Sequence, residues 1–376
     1  MSPPLKILKV IDAWKWFAEA EQMFQASASL IARGHAVEVA CQPESPAAAR
    51  ARALGIPVHP LPGLRGARAP WTPLLNVWRL KRAIEISRPQ LVHAYRSPPH
   101  LLAAAAIALS RGPRPGLVRT RGATQSIRRG VLNRWLYEGR TQGLLLTSGR
   151  IEADLVAAGF APEGLRQIPT VIDADPLRGG EVEAFRAWAG LGEGPVIGVL
   201  ARLEAVKGHL DLLEALPSLL ERFPGLSLCF VGPEVDGTRE KIVARAGALG
   251  VSDRVKMPGA SDDPGAALRA FDLVVIPSIG SEEISRVLLE AFSLGRPVVA
   301  TRVGVIPEIA EDGVSALLVP PRDPAALGAA IRRALGDPGL RAQLGEAGAA
   351  RYRAAHTPDR LADALEAAYA QAYGRL

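Results

Sequence analysis

The sequence predicts an α/β protein divided into two domains, each built on a parallel β-sheet. Short apolar runs alternate with helical patterns along the chain, which is the rhythm of β-α-β units; four such runs are residues 5–11, 36–40, 226–231 and 315–319. The chain has 376 residues, more than one hydrophobic core usually holds, so two cores are expected. Its 37 glycines and 31 prolines are dispersed as punctuation between short elements, which argues against a low-complexity chain.

Glycine and proline cluster between residues 170 and 195, and we expect the chain to pass from one domain to the other there. The predicted amino-terminal domain spans residues 1–175, and the predicted carboxy-terminal domain spans residues 176–358. A further helical pattern occupies the last residues, 359–376.

The strongest functional signal follows the apolar run at residues 272–276, which reads as a buried parallel strand. A helix should open after it, with Ser285 as its cap and Gly295 near its end. Free main-chain N–H groups and the positive end of the helix dipole would then lie where open α/β sheets bind ligands. A diphosphate fits that position, and the predicted contact residues are Ile284, Ser285, Arg286 and Val287.

Two carboxylates flank this predicted helix start. Glu282, just before the helix, could accept hydrogen bonds from sugar hydroxyls, and Glu290, nearly two turns along the inner face, could bind vicinal ribose hydroxyls. The alternative is that both are solvated surface charges. We favour a nucleotide-sugar site because of the cations elsewhere in the same predicted domain.

Those cations follow the apolar strand that begins at Val196. Arg202 can bind phosphate oxygens in a bidentate manner, and Lys207 supplies a compact positive charge; together they would neutralise a leaving nucleoside diphosphate. Taken alone, Arg202 and Lys207 could be a pair of solvated surface charges at least as readily as a phosphate site. Combined with the glutamates, they predict a diphosphate site.

These segments resemble the retaining GT-B glycosyltransferases of family 4, and the resemblance covers almost the whole chain. Residues 201–208, Ala-Arg-Leu-Glu-Ala-Val-Lys-Gly, resemble the family's G-R-L-x-x-x-K-G motif, and Glu282 to Glu290 resembles its E-x7-E motif. Residues 296–308 are similar to the segment that follows in the family. Further matches lie at residues 32–35, 92–94, 133–137, 145–148 and 168–173.

The resemblance implies a GT-B fold, in which two Rossmann-like domains with parallel sheets face a central cleft and the helix at residues 359–376 returns to the first domain. It also implies that Arg202 and Lys207 bind the donor diphosphate, Glu282 the transferred sugar and Glu290 the ribose. Arg202, Lys207 and Glu282 would be the catalytic residues, and Glu283 would join the donor-binding stretch.

The implied reaction is retaining transfer of a hexose from a nucleoside-diphosphate sugar to a hydroxyl of a glycan or lipid-linked acceptor. We expect a role in the synthesis of cell-envelope polysaccharide or lipopolysaccharide. One alternative is a donor-binding protein without turnover. Another is a GT-B sugar-nucleotide epimerase, for which Glu19 and Glu21 are the candidate acidic catalysts.

The chain departs from the family on the acceptor side. Where much of the family has a Gly-Gly pair at the first helix, this chain reads Trp-Phe-Ala-Glu-Ala-Glu-Gln, and Gly122 lies about where many relatives place a histidine. Trp14 and Trp16 either face the acceptor or pack in the interior. The acceptor-side candidates are Trp16, Ala18, Arg96, Arg121 and Gly122.

No metal or cofactor is predicted beyond the nucleotide-sugar co-substrate. The Asp173-Ala-Asp175 sequence has the form of a metal-binding D-x-D, but two carboxylates with no further obvious oxygen ligands make a poor site for a hard cation. Arg202 and Lys207 already supply the positive charge, so we expect activity without a divalent ion.

Charge is unevenly divided along the chain, whose formal net charge is +7. Residues 1–180 hold 24 Lys and Arg against 12 Asp and Glu, a net +12. Such a domain suits a membrane surface, a lipid-linked acceptor or a phosphorylated glycan. No nucleic-acid-binding module is recognisable, so nucleic acid is not expected.

Residues 64–82 interleave cations with Trp71 and Trp78, and they could lie on a bilayer. The alternative is a crossover helix whose apolar side packs on the sheet. The cations of this segment are Arg65, Arg68, Arg79, Lys81 and Arg82.

Cysteine usage favours a reducing compartment. Cys41 and Cys229 lie on predicted strands of different domains, so free thiols are expected. Neither a secretory signal nor an apolar run of about 20 residues is apparent. We therefore expect a cytoplasmic protein, peripheral at most on the inner face of the plasma membrane.

Overall fold

The computed structural model describes residues 3–64, 71–122, 127, 130–160, 164–280, 282 and 284–374, apart from the side chain of Ala18. The chain forms two compact units: unit 1 comprises Met1–Val171 and Pro358–Leu376, and unit 2 comprises Ile172–Thr357. The division thus falls a few residues before the predicted one at residue 175.

Unit 1 is built on a seven-stranded parallel sheet in the order β3-β2-β1-β4-β5-β6-β7. The strands are β1 (Lys6–Val10), β2 (Ala36–Cys41), β3 (Val58–Pro60), β4 (Leu91–Tyr95), β5 (Gly116–Arg121), β6 (Gly143–Leu146) and β7 (Leu165–Gln167). The helices are α1 (Ala18–Ala32), α2 (Pro46–Ala53), α3 (Thr72–Ser87), α4 (Ser97–Leu109), α5 (Val131–Tyr137), α6 (Gly149–Ala157) and, from the end of the chain, α15 (Pro358–Tyr373). Strands β4, β5 and β6 are buried along their whole length, as expected for parallel strands covered on both faces.

Unit 2 is built on a six-stranded parallel sheet in the order β10-β9-β8-β11-β12-β13. The strands are β8 (Val196–Leu200), β9 (Ser227–Val231), β10 (Val255–Gly259), β11 (Leu273–Ile276), β12 (Val298–Thr301) and β13 (Leu317–Val319). The helices are α7 (Val182–Ala189), α8 (His209–Leu220), α9 (Thr238–Ala248), α10 (Pro264–Ala270), α11 (Arg286–Ser293), α12 (Ile306–Ile309), α13 (Pro324–Gly336) and α14 (Pro338–Ala355). The predicted α/β class, with two Rossmann-like parallel-sheet domains, is confirmed.

Hydrophobic clusters cover both faces of each sheet. In unit 2, one cluster places α10, α11 and α12 on one face of the sheet, and another places α8 and α13 on the other. Unit 1 is likewise covered on one face by α1 and α15 and on the other by α3 and α4. The apolar runs seen in the sequence are the strands between these layers.

Helix α15 belongs to unit 1 although it ends the chain. Tyr369 is fully buried, and its hydroxyl lies 2.7 Å from Nδ1 of His93, whose Nε2 lies 2.7 Å from the Thr120 hydroxyl. At its surface, Arg33 donates to Asp363 (2.7 Å) and to Glu366 (2.9 Å). Residue 33 belongs to the family-like segment 32–35, so that segment serves to hold the last helix.

Both cysteines are free and buried, Cys41 in unit 1 and Cys229 in unit 2. Burial raises the pKa of the two thiols to about 11 and about 12, respectively. Within the described part of the chain, no helix combines the length and apolar character that crossing a bilayer requires.

The docking of α15 predicts a specific loss of stability. Replacement Tyr369→Phe should lower the free energy of unfolding of unit 1 by about 1 kcal/mol, because Nδ1 of His93 loses its partner at 2.7 Å and keeps only the Tyr95 hydroxyl at 3.2 Å. Urea unfolding followed by tryptophan fluorescence reports mainly on unit 1, which holds five of the six tryptophans. The control is Tyr373→Phe, an exposed tyrosine of the same helix; equal losses in the two variants would contradict the assigned role.

Candidate functional site

The candidate donor site lies in unit 2, where two neighbouring parallel strands end at the same edge of the sheet. Strand β8 pairs with β9 on one side and with β11 on the other, so the order of the strands reverses at β8. Ligands of open α/β sheets bind outside the carboxyl ends of the strands at such a point. Lys207 follows β8 and Glu282 follows β11, so both predicted residues reach this edge.

The structure joins these two residues directly. Nζ of Lys207 donates to Oε1 of Glu282 at 2.6 Å, and the hydroxyl of Ser278 donates to the same oxygen, also at 2.6 Å. The two charged side chains are only 15% and 10% exposed. The predicted diphosphate cation and the predicted sugar carboxylate therefore form an ion pair that is largely withdrawn from water.

Close main-chain packing fixes the positions of both partners. Gly208, with φ 70°, leaves no room for a side chain because a Cβ there would overlap the carbonyl of Pro277. Gly304, with φ 55°, is likewise pressed against the carbonyl of Glu282. The carbonyl of Glu282 also accepts from the N–H of Val305 at 2.8 Å. Gly304, which lies in the family-like segment 296–308, thus helps to hold the main chain of Glu282 in position.

Arg202 does not join this pair among the described contacts. Its Nη2 lies 2.7 Å from Oε2 of Glu204, and its side chain is 53% exposed. The loop that carries it is tied to the end of β9, because Leu203 N–H donates to the carbonyl of Pro233 at 2.9 Å and Ala205 N–H donates to Asp236 at 3.1 Å. Arg202 is therefore available to an incoming anion at a smaller desolvation cost than Lys207.

Helix α11 starts at the predicted position, but Ser285 does not cap it as predicted. Ser285 has φ 45° and ψ 53°, a left-handed conformation, whereas a capping side chain requires an extended backbone. Its hydroxyl is buried and has no hydrogen-bond partner among the described residues. Within that same set, the N–H groups of residues 284–287 find no main-chain acceptor, as at any helix start, and they are the groups that could bind an anion.

Glu290 lies on the buried face of α11, as the spacing predicts. Its Oε1 accepts from Nε of Arg286 at 2.6 Å, and the carboxyl is almost fully enclosed. Burial raises the pKa of Glu290, and the charge of Arg286 opposes that rise. Ile284 and Val287 are partly buried beside it, whereas Glu283 lies outside the described residues.

The acceptor-side candidates all belong to unit 1. Trp16 is exposed and donates through Nε1 to Glu21 at 2.8 Å. Arg96 has φ 70°, and its Nε lies 3.5 Å from Oδ1 of the buried Asp12. Arg121 is buried at the end of β5, next to Gly122, and Ala18 is the first residue of α1. Trp14 is also exposed, so of the two alternatives left open for these tryptophans, interior packing is excluded for both.

Sequence reasoning missed Ser278 and Gly304, although both have a signal in hindsight. Ser278 is a polar residue that follows a buried strand at the ligand-binding edge, and Gly304 lies in a segment that resembles the family. Neither residue type is distinctive without the neighbouring Glu282. Their roles depend on contacts between residues that are distant along the chain.

The first carboxylate of the Asp173-Ala-Asp175 sequence makes a hydrogen bond within that sequence. The side chain of Asp173 accepts from the N–H of Asp175 at 3.1 Å, which shapes the short 3-10 helix Asp175–Leu177. In the part of the chain that the structure describes, no three His, Cys, Asp or Glu side chains cluster as metal ligands would.

Two family matches cover most of the chain. Residues 21–176 match Glycosyltransferase Family 4, and residues 182–351 match Glycosyl transferases group 1. Each match lies almost entirely within one of the two units.

Curated relatives match over part of their length. D-inositol 3-phosphate glycosyltransferase from Segniliparus rotundus is 34% identical over 60% of this chain, and the match spans 51% of that protein. Phosphatidyl-myo-inositol mannosyltransferase from Mycobacterium leprae is 32% identical over 62% of this chain and 60% of its own length. The match thus spans between 51% and 60% of the length of these two relatives.

Solved structures share the fold. A glycosyltransferase from Rickettsia africae superposes with a TM-score of 0.87 at 16% identity, over 99% of both chains. HepE from Anabaena, solved with UDP, gives a TM-score of 0.82 at 20% identity, over 97% of this chain and all of that one. Two Rossmann-like units with parallel sheets are the architecture of the GT-B class of proteins. With both domain matches in place, the chain belongs to the GT-B glycosyltransferases of group 1 type.

The buried ion pair predicts strong energetic coupling between its partners. Lys207→Ala and Glu282→Ala should each destabilise unit 2, because each leaves a largely buried charge unpaired. The double variant should lose less than the two single losses together, with a coupling of about 1–3 kcal/mol. Hydrogen exchange of peptides from unit 2, followed during urea unfolding, measures the free energy of unfolding of each variant. The four values then give the coupling energy of the cycle.

The matched control is the pair of Arg202 and Glu204 in the same unit, in which the side chain of Arg202 is 53% exposed. Its coupling should stay below about 1 kcal/mol, because solvent screens it. Equal coupling in the two cycles would show that the enclosure of Lys207 and Glu282 has no energetic consequence.

Proposed function

We propose that this chain is a retaining, metal-independent glycosyltransferase that moves a hexose from a nucleoside-diphosphate sugar to an acceptor hydroxyl. The observation that carries the proposal is the enclosed Lys207–Glu282 ion pair beside the open start of α11. A cation, a carboxylate and the start of a helix meet there, at the edge of a parallel sheet where ligands of such sheets bind. The fold neighbours solved with UDP, and with UDP and glucose, support a nucleotide-sugar donor.

Donor binding would exchange the partner of Lys207. A diphosphate carries more charge than one carboxylate, so its oxygens would compete for the ammonium group and release Oε1 of Glu282. Ser278 would keep the released carboxylate oriented through its 2.6 Å hydrogen bond. Glu282 could then accept hydrogen bonds from the transferred sugar, while Glu290 would bind the ribose hydroxyls.

The chemical step would replace one bond to the anomeric carbon by another. The acceptor oxygen forms a bond to that carbon on the face that the diphosphate leaves, and the bond between the carbon and the phosphate oxygen breaks. The acceptor proton passes to the leaving diphosphate. Arg202, Lys207 and the N–H groups of α11 would stabilise the charge that develops on the diphosphate, which accounts for catalysis without a metal.

The acceptor proposed here is a hydroxyl of a glycan or of a lipid-linked polyol, in the synthesis of an envelope glycan. The names of the curated relatives, which refer to inositol phosphate and phosphatidyl-inositol, support a polyhydroxylated and anionic acceptor. A fold neighbour named as a lipopolysaccharide outer core galactosyltransferase supports an envelope role. Unit 1 holds 25 Lys and Arg against 13 Asp and Glu, a net +12, which complements such acceptors.

Turnover tests the donor site. A panel of UDP-, GDP- and ADP-sugars should yield one that is consumed, and the reaction should persist in excess EDTA because side chains supply the positive charge.

Lys207→Ala should lower kcat by roughly 100-fold. Wild-type turnover in a folded Lys207 variant would remove the proposed diphosphate site, and binding of a nucleotide sugar without any turnover would favour a donor-binding protein. The matched control is Lys241→Ala, an exposed lysine of α9 in the same unit.

We further propose that unit 1 meets anionic membranes through helix α3. The buried face of α3, which includes Leu80 and Ile84, packs on the sheet as the alternative interpretation predicts. The opposite face leaves Trp71, Leu74 and Trp78 more than 60% exposed. Interior packing does not account for these large apolar side chains, whereas the interface of a bilayer does.

Cations border that apolar face. Arg79 and Arg82 are exposed, whereas Lys81 is paired with Glu85 at 2.8 Å and contributes little net charge. Arg65 and Arg68 lie outside the described residues. The membrane contact would therefore combine apolar insertion with electrostatic attraction from Arg79 and Arg82.

Flotation with lipid vesicles tests this contact. Vesicles with 30% anionic lipid should bind the wild-type chain, and neutral vesicles should bind it poorly; binding should weaken between low and physiological salt, where the Debye length falls to about 8 Å. Replacing Arg79 and Arg82 by Gln should reduce binding several-fold. The matched control replaces Arg332 and Arg333 of unit 2 by Gln, which removes the same charge from exposed positions. Equal binding to anionic and neutral vesicles at low salt would contradict the proposal.

A further inference from the structure

Unit 1 has a cavity at the amino edge of its sheet. Strands β4 and β5 begin at Leu91 and Gly116, and the loops that lead into them, residues 88–90 and 111–115, form two walls of this cavity. The last turn of α3 and Tyr373 of α15 complete its lining. The volume is about 500 Å³, within the range of sites that hold small organic molecules.

Arginines dominate the charge of this cavity. Arg88, Arg111 and Arg114 line it, and all three residues are exposed; in the described part of the chain, none of them forms an ion pair with a carboxylate. Glu85, which also lines the cavity, already has partners. Lys81 donates to its two oxygens at 2.8 and 2.9 Å, and the N–H of Arg111 donates to one of them at 2.8 Å. These hydrogen bonds lower the pKa of Glu85, so the carboxylate stays ionised beside Lys81 and the guanidinium groups remain open to another anion.

The main chain fixes the positions from which two of the arginines extend. Arg88 ends α3 in a left-handed conformation, with φ 48° and ψ 54°, and its N–H donates to the carbonyl of Ile84 at 2.8 Å. Arg114 lies between Pro113 and Pro115, which restrict the backbone on both sides of it. Because the backbone is already constrained, less conformational entropy is lost when a ligand binds.

Gln90 ties the loop before β4 to the strands beside it. Its N–H donates to the carbonyl of Lys6 at 2.9 Å, and its side-chain oxygen accepts from the N–H of Lys6 at 2.6 Å. Its carbonyl accepts from the N–H of Gly116 at 3.0 Å. The loop is therefore fixed to the starts of both β1 and β5.

The lining favours a phosphate group that is carried by an organic molecule. A phosphomonoester has close to two negative charges at neutral pH and three strong acceptor oxygens, which suits several guanidinium groups better than one carboxylate would. The cavity is larger than a bare phosphate requires. Tyr373, an exposed residue of its lining, offers an aromatic surface for the organic part. The cavity thus fits a phosphorylated molecule of about the size of a sugar.

We propose that Arg88, Arg111 and Arg114 form a binding site for a phosphomonoester at the amino edge of the sheet of unit 1. The acceptor-side candidates Arg96 and Arg121 lie at the opposite, carboxyl ends of the same two strands, β4 and β5. Strands of this length span about 15–20 Å, at about 3.3 Å per residue. A molecule bound in the cavity is therefore too far from the carboxyl edge to react there. The site takes a ligand other than the substrates, and the proposal does not depend on the proposed transferase function.

Titration calorimetry without any nucleotide tests the site. The probes are glucose 6-phosphate and myo-inositol 1-phosphate, and glucose and myo-inositol are the matched compounds that lack the phosphate. At least one phosphomonoester should bind about tenfold or more tightly than its unphosphorylated parent. Arg111→Gln and Arg114→Gln should each weaken that ligand by about tenfold, because each removes a charge-assisted hydrogen bond. Arg50→Gln, at an exposed position of α2 in the same unit, controls for the loss of charge.

Arg88→Gly supplies the sharpest variant. Glycine readily adopts the left-handed conformation of this position, so the variant should keep the fold while it loses the guanidinium group. Its affinity for the phosphomonoester should fall by about tenfold. The matched control is Arg322→Gly, which replaces an exposed arginine of unit 2 with φ 59° and should keep that affinity. Thermal unfolding checks the fold of every variant.

Hydrogen exchange locates the bound phosphomonoester. The ligand should slow exchange in peptides that cover residues 84–90 and 111–116, and Arg88→Gly should remove this protection. Protection confined to peptides of unit 2 would mean that the phosphate occupies the proposed donor site, and it would contradict the proposal. Titration with UDP, GDP and ADP should give the same result in Arg88→Gly as in the wild-type chain, so a failure of the donor site is recognised separately.

Lipid vesicles distinguish the two sources of such a phosphate. Phosphatidic acid carries a phosphomonoester, whereas phosphatidylglycerol carries a diester. A preference for phosphatidic acid that Arg88→Gly abolishes would assign the site to a lipid headgroup, and binding of a soluble phosphomonoester would assign it to a metabolite. Failure of the wild-type chain to bind either soluble phosphomonoester or to prefer phosphatidic acid would overturn the proposal. Equal affinities in Arg88→Gly and Arg322→Gly would overturn it as well.

Discussion

The candidate donor site depends on one ion pair that links the ends of two strands. Lys207 follows β8 and Glu282 follows β11, and their 2.6 Å contact spans the point where the order of strands reverses. The pair is stable in its enclosed position because Ser278 shares the carboxylate and because two glycines let the main chain approach closely. In the proposed donor complex, the diphosphate would take Lys207 over from Glu282, because it carries more negative charge than one carboxylate.

Much of the fold could be predicted from the sequence, because buried parallel strands leave a direct record as apolar runs. The strands at residues 196–200 and 273–276 and the helix that ends near Gly295 follow from local patterns. The ion pair could not be predicted in the same way, since its partners are far apart in the sequence and either could have faced water. The left-handed backbone of Ser285 was also missed, because serine at a helix start normally indicates a cap.

Helix α3 shows why a pattern can support two interpretations at once. The spacing of its apolar residues predicts that one face packs on the sheet, and that face is buried around Leu80. The cations and tryptophans of the same helix lie on the opposite face, where packing imposes no requirement. Amphipathic patterning identifies the buried side of a helix, but it leaves the partner of the other side to be inferred from charge and exposed area.

The buried carboxyl groups of the two units differ in how they are paired. In unit 2 the carboxylates of Glu282 and Glu290 each have a cation at 2.6 Å, so the proposed diphosphate would compete with Glu282 for Lys207. In unit 1 the buried oxygen of Glu19 has no such contact in the described region, and Arg119 and Arg96 act on it only through their charge. An unpaired buried carboxyl oxygen of that kind carries a desolvation cost that nothing in the described region offsets. The carboxyl groups of the two units would therefore respond differently to an added anion, because only in unit 2 would the anion gain a cation by displacing a carboxylate from it.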